Sequence, residues 1–92
     1  MKNKGLTVAF DIDNCLVDAD YNPRDDVIDL FHIFEKLGCR MVIWSDDSVK
    51  YTEHWAKKLG LNAILAYKTY DIRADITFDD QDISLGKVNI QV

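Results

Sequence analysis

Apolar residues along this chain alternate between two spacings, and the changes of spacing divide it into seven predicted elements. Leu6 to Phe10 is a short apolar run of β type that leads into Asp11-Ile12-Asp13-Asn14-Cys15-Leu16. Leu16 to Pro23 reads as a loop or hairpin, closed by Pro23, which biases Asn22 away from helix. From about Arg24 to Leu37 the spacing becomes helical. Val27, Leu30, Phe31, Phe34 and Leu37 share one face, Asp25 and Asp26 suit the first turn, and Gly38 suits the exit. His32 falls off that stripe, without the neighbours a metal ligand needs, and is expected at the surface. Cys39 to Trp44 is too apolar for a one-sided sheet and predicts a strand covered on both faces. A second helix follows from about Ser48 to Leu59, with Thr52, Trp55, Ala56 and Leu59 inward and Gly60 at its end. Asp46, Asp47 and Ser48 are its candidate N-caps, while His54, Lys57 and Lys58 belong to its solvent side. Three short strands complete the chain, at about Ala63 to Ala66, Asp75 to Phe78 and Lys87 to Val92. The segment between the first two of these is too polar and short for a helix.

Strand–helix alternation of this kind predicts an α/β fold, a Rossmann-like, mostly parallel sheet with helices on its faces. The last two connections are shorter than a parallel crossover normally requires. Residues beyond 66 are therefore compatible with antiparallel pairing, irregular structure or completion by another subunit. Without repeats, linkers or low-complexity tracts, residues 1–92 read as a single domain.

Composition narrows the function classes. The apolar fraction of 48% and the charged fraction of 29% are those of a globular protein and argue against disorder. A net charge of −5 argues against an extended nucleic-acid surface, which needs clustered Lys and Arg, though not against a grip on one phosphate. No apolar run approaches membrane-spanning length, and Met1-Lys2-Asn3-Lys4-Gly5 lacks a signal-peptide core, so a soluble cytoplasmic protein is expected. Cys15 and Cys39 both sit in or beside apolar runs and are expected to be reduced and packed. Trp44, Trp55, Tyr67 and Tyr70 are expected in the core or at a rim rather than as a recognition platform.

Candidate chemistry gathers where strands end. Asp11 and Asp13 are spaced i, i+2, so an extended backbone sends both to one side. Carboxylates that close repel unless a cation neutralises them or one keeps a proton. Ser45 ends the second strand ahead of a helix N-terminus, where a hydroxyl, free N–H groups and the helix dipole all favour a phosphate. Asp79 and Asp80 end the fourth strand. Four aspartates suit Mg²⁺, a hard cation that prefers oxygen ligands. Metal and phosphate together describe phosphoryl transfer, and open parallel sheets bind ligands beyond their carboxyl ends.

These residues resemble the motifs of the haloacid dehalogenase superfamily. Asp11-Ile12-Asp13-Asn14-Cys15-Leu16 is similar to its Asp-x-Asp-x-Thr/Val motif, and Val42-Ile43-Trp44-Ser45 to its second motif. Ile76-Thr77-Phe78-Asp79-Asp80 is similar to its acidic fourth motif, and Lys68 is the candidate for its third-motif lysine, with Lys57 and Lys58 as rivals. The ordered set spans roughly Val8 to Asp82; Cys15 departs from the usual small residue, and no insertion is long enough for a cap domain. The resemblance implies that Asp11 is the nucleophile and that Asp13 protonates the leaving oxygen and then deprotonates water. It implies that the Asp11 carboxylate, the Asp13 backbone carbonyl and Asp79 or Asp80 ligate Mg²⁺. Ser45 would then hydrogen-bond the phosphoryl oxygens, and Lys68 would neutralise charge on phosphate and nucleophile.

The function expected on this basis is Mg²⁺-dependent hydrolysis of a phosphomonoester, borne by a small molecule or the end of a macromolecule. Cap-less members tend to act on macromolecules or to close their sites by forming homo-oligomers. Two other classes remain: a non-catalytic phosphate- or metal-binding module, and a receiver-like signalling domain phosphorylated on aspartate. Receivers usually carry the acceptor at the end of the third strand, whereas here the aspartate pair follows the first.

Overall fold

A computed structural model describes residues 5–69 and 72–92. Its elements run β1 (Thr7–Phe10), α1 (Asp25–Lys36), β2 (Arg40–Ser45), α2 (Val49–Leu59), β3 (Ile64–Tyr67), β4 (Ala74–Asp79) and β5 (Gly86–Gln91). The strands form one sheet in the order β3-β2-β1-β4-β5, and every neighbouring pair is parallel. β1 therefore lies at the centre, with Phe10 opposite Ile43 on one side and Phe78 on the other. Strand order reverses at β1, which puts its carboxyl end at the position where such sheets bind ligands.

Alternation along the strands builds two packing layers. Val8, Phe10, Met41, Ile43 and Phe78 point to one face and form a single cluster with Val27 and Phe31 of α1 and Trp55 and Ala56 of α2. Phe10 stacks on Phe78 with centroids 4.5 Å apart and tilts against Phe31 at 5.3 Å. Ala9, Val42 and Trp44 point to the other face and form a second cluster with Ala74 at the start of β4, against Ala66, Ile72 and Leu85. Both helices share one face for a topological reason. Right-handed crossovers from β1 to β2 to β3 step in one direction along the sheet and so lie on one side of it. β4 and β5 step the other way, and the flanks of their connections, through Ile72 and Leu85, cover the second face. Met41 to Ser45 are all buried, as expected for a strand covered on both sides. The end of the chain is wholly parallel, and among the described residues its last two connections contain no helix.

Helix termini follow from local chemistry. Ser48 caps α2, its Oγ accepting from the Tyr51 N–H at 3.1 Å. Asp25 and Asp26 occupy the first turn of α1. Gly60 ends α2 at φ +69°, in the left-handed region that a Cβ disfavours. A Cβ there would meet nothing within 4 Å, so Gly60→Ala introduces backbone strain alone. The expected loss is about 1 kcal/mol, read as a fall of roughly 4–8 °C in a thermal melt. His32 and His54 are exposed, the first bonded to Glu35 at 3.1 Å and the second edge-on to Trp55. Cys15 and Cys39 are free thiols in the interior. No helix among the described residues is long and apolar enough to cross a membrane.

Candidate active site

Asp11 is the first residue beyond β1, and its N–H donates to the Phe78 carbonyl at 3.0 Å, which fixes it between the two central strand ends. Ile12 turns into the core, so Asp11 and Asp13 reach the same cleft, as their spacing predicts. The loop then tightens. Asn14 has φ +58°, Cys15 Sγ donates to the Phe78 carbonyl at 3.4 Å, and the hairpin beyond closes with an Asp18–Asn22 backbone bond of 2.8 Å.

β4 brings the second acidic pair alongside. Asp79 is 1% exposed, and its two oxygens accept from Lys68 Nζ at 2.7 Å and from the Gln81 N–H at 3.0 Å. Lys68 Nζ also lies 3.0 Å from Asp11 Oδ1 and 3.9 Å from Asp46 Oδ2. The geometry thus places Lys68, rather than Lys57 or Lys58, among the carboxylates. Lys57 and Lys58 are exposed at the last turn of α2, Lys58 over the Trp55 ring. Register explains the placement of Lys68. Its N–H donates to the Ser45 carbonyl at 2.8 Å and continues the β2–β3 ladder by one residue.

One carboxylate oxygen from each of Asp11, Asp79 and Asp80 lies within 4.8 Å of the other two. Mg²⁺–O bonds of about 2.1 Å separate ligand oxygens by about 3 Å when adjacent and about 4.2 Å when opposite, so small side-chain rotations suffice. The Asp13 carboxylate is not part of this group; it accepts from the Tyr51 hydroxyl at 2.5 Å. Ser45 is placed differently from a phosphate donor at the surface. It is 2% exposed and does not line the cleft; its Oγ accepts from the Asp47 N–H at 3.1 Å and lies 3.4 Å from Thr52 Oγ1. Tyr51, Asn14 and Gln81 carry no motif signature, and Asp46 and Asp47 read first as caps. All but Tyr51 line the cleft, a cavity of about 320 Å³ shared with Asp11, Asp13, Lys68 and Asp80. Trp44 and Trp55 are buried and Tyr67 is exposed at the β3 end; Tyr70 lies outside the described residues.

Electrostatics in the cleft favour a cation. Among the described residues, Lys68 is the one positively charged side chain lining it, against Asp11, Asp13, Asp46, Asp47 and Asp80. Burial pushes the Asp11 carboxyl up to about 7; Lys68 opposes this, and the Asp79 charge adds to it. Burial and the adjacent Asp79 carboxyl also raise Asp80. Burial pulls the Lys68 ammonium down, but its bond to Asp79 and the charge of Asp11 outweigh that and leave it above the ordinary lysine value.

A metal-linked pH dependence follows. Between the ordinary carboxylate value of 3.8 and about 7, folded Asp11 keeps a proton that the unfolded chain has released. A cation binding Asp11 must displace that proton below about 7 and need not above it. Thermal stabilisation by Mg²⁺ is therefore expected to be larger at pH 8 than at pH 5.5. A shift of equal size at both pH values would exclude Asp11 as a ligand.

Compared with protein-family models, with curated proteins and with solved structures, the chain matches none.

Proposed function

We propose that this protein is a Mg²⁺-dependent phosphatase of the haloacid dehalogenase type, hydrolysing a phosphomonoester through an aspartyl-phosphate on Asp11. The observation that carries the reading is the convergence of Asp11, Asp79, Asp80 and Lys68 beyond the central strand, with Asp13 on the same cleft wall. Asp11, Asp79 and Asp80 would hold Mg²⁺, which supplies the positive charge that lets a phosphate dianion enter an acidic cleft. Asp11 attacks phosphorus as a carboxylate and needs no separate base. Asp13 gives a proton to the departing oxygen, then takes one from the water that cleaves the acyl-phosphate. Lys68 holds the Asp11 and Asp79 carboxylates together and offsets their charge.

One observation favours a second reading. With Ser45 buried behind the cleft wall, Lys68 is, among the described residues, the only cationic phosphate donor lining the cavity, which suits a module that binds a metal without turnover. The deciding experiment is release of p-nitrophenol from p-nitrophenyl phosphate with and without Mg²⁺, run beside a calorimetric Mg²⁺ titration. Mg²⁺-dependent release supports the phosphatase. Mg²⁺ binding with no hydrolysis across a panel of phosphate esters supports the binding module.

A further inference from the structure

We infer that Tyr51 is a positioning residue for proton transfer, holding one oxygen of the Asp13 carboxyl so that the other faces the reacting ester. The inference rests on the phosphatase reading and deepens it. Asp13 and Tyr51 are far apart in sequence, and the bond between them joins the β1 loop to the first turn of α2. Asp13 is exposed and its loop is irregular, so without a partner its side chain would sample several rotamers. Tyr51 itself is well anchored. Its N–H is held by the Ser48 cap, and its ring packs against the core cluster between the sheet and the helices. A carboxylate only accepts, so the Tyr51 hydroxyl directs its own hydrogen to Asp13.

This chain of contacts determines which oxygen carries the proton. Oδ1 accepts from Tyr51, so a protonated Asp13 bears its hydrogen on Oδ2. As the P–O ester bond breaks, that hydrogen passes to the leaving oxygen and the alcohol departs. Water then loses a proton to Oδ2 while its oxygen bonds to phosphorus, which frees inorganic phosphate and restores the Asp11 carboxylate and the Asp13 acid. Tyr51 keeps its own proton throughout.

The test compares two esters that differ in their need for an acid. An alkyl phosphate has a poor leaving group and requires protonation, whereas p-nitrophenolate departs without it. In Tyr51→Phe, kcat/KM for an alkyl monoester such as glycerol phosphate, which reports transfer of the phosphoryl group to Asp11, is expected to fall about 10–100-fold, a share of the roughly 10²–10⁴ that a positioned acid contributes. For p-nitrophenyl phosphate the expected fall in kcat/KM is under about threefold, since hydrolysis of the aspartyl-phosphate, common to both esters, lies beyond the step that kcat/KM reports. In an Asp13→Asn background, Tyr51→Phe should change neither rate further, because the group it positions is gone. Equal losses of kcat/KM on both esters, or no loss on either, would overturn the inference while leaving the phosphatase reading intact. Failure of the unaltered protein to turn over either ester would sink the phosphatase reading and the role of Tyr51 with it. Should Tyr51→Phe fold poorly, Tyr51→Met, which fills part of the ring's space without a hydroxyl, is expected to show the same ester-dependent loss.

Discussion

Replacing Asp11 by asparagine is expected to abolish turnover while raising the melting temperature of the metal-free protein. The two effects have one origin. Asp11 is 6% exposed and shares its surroundings with Asp79, so its ionised form is disfavoured and its carboxyl is pushed up to about 7. The sign follows from linkage. Stability is highest where folded and unfolded chains are both protonated, and it declines as pH rises from the ordinary value of 3.8 through about 7. Asparagine has no such charge to bury, and Lys68 retains Asp79 as a partner at 2.7 Å. Metal-free Asp11→Asn should therefore be more stable than the parent by about 1–3 kcal/mol at pH 8. The difference should vanish near pH 4. With Asp11 as the proposed nucleophile, its loss should lower kcat by about 10⁴-fold or more. Paired melts and initial rates read both quantities; an Asp11→Asn protein that is active, or no more stable at pH 8, contradicts the assignment.

Lys68→Met is expected to be among the most destabilising substitutions in the chain. The Lys68 side chain is 8% exposed and its ammonium bridges Asp11 and Asp79, whose side chains are 8% and 1% exposed. Methionine fills similar space but leaves two buried carboxylates facing each other. Removing one partner of a buried ion pair costs about 3–5 kcal/mol, and protonation of Asp11 relieves part of that, so about 3 kcal/mol is expected. For a domain of this size that lowers the melting temperature by roughly 12–24 °C. Mg²⁺ should recover much of the loss, since a divalent ion restores positive charge between the carboxylates. Acidification should recover some of it as well, because Asp11 then takes up its proton. A melt lowered by less than about 5 °C and insensitive to Mg²⁺ would show that Lys68 does not hold these groups together.

Much of the site is readable along the chain because its parts follow strand ends. Asp11 and Asp13 have the spacing that an extended backbone turns to one side, and Ser45, Asp79 and Asp80 terminate apolar runs. Lys68 is less legible, because a lysine looks the same to local pattern whether it is solvated or buried. Lys57 and Lys58 fit equally well until the register of β3 on β2 puts Lys68 beside Ser45. Ser45 illustrates the converse. Its residue type and position suit a phosphate, yet the turn into α2 closes over it through Asp47 and Thr52. Tyr51 has no signature, since an aromatic residue in a first helical turn says nothing about which loop it will meet.

By itself the sequence determined the seven elements, the inward stripes of both helices apart from Leu37, which is exposed at the end of α1, and the acidic strand tips, because these depend on spacings of two to four residues within one segment. The tertiary structure alone decided that β4 and β5 run parallel to the rest, that both helices share a face, and that Lys68 and Tyr51 serve the Asp11–Asp13 loop. Those outcomes depend on strand order and crossover direction, which bring residues from distant segments to one end of the sheet. Local periodicity carries no information about that order, because each strand presents the same alternation whichever neighbour it pairs with.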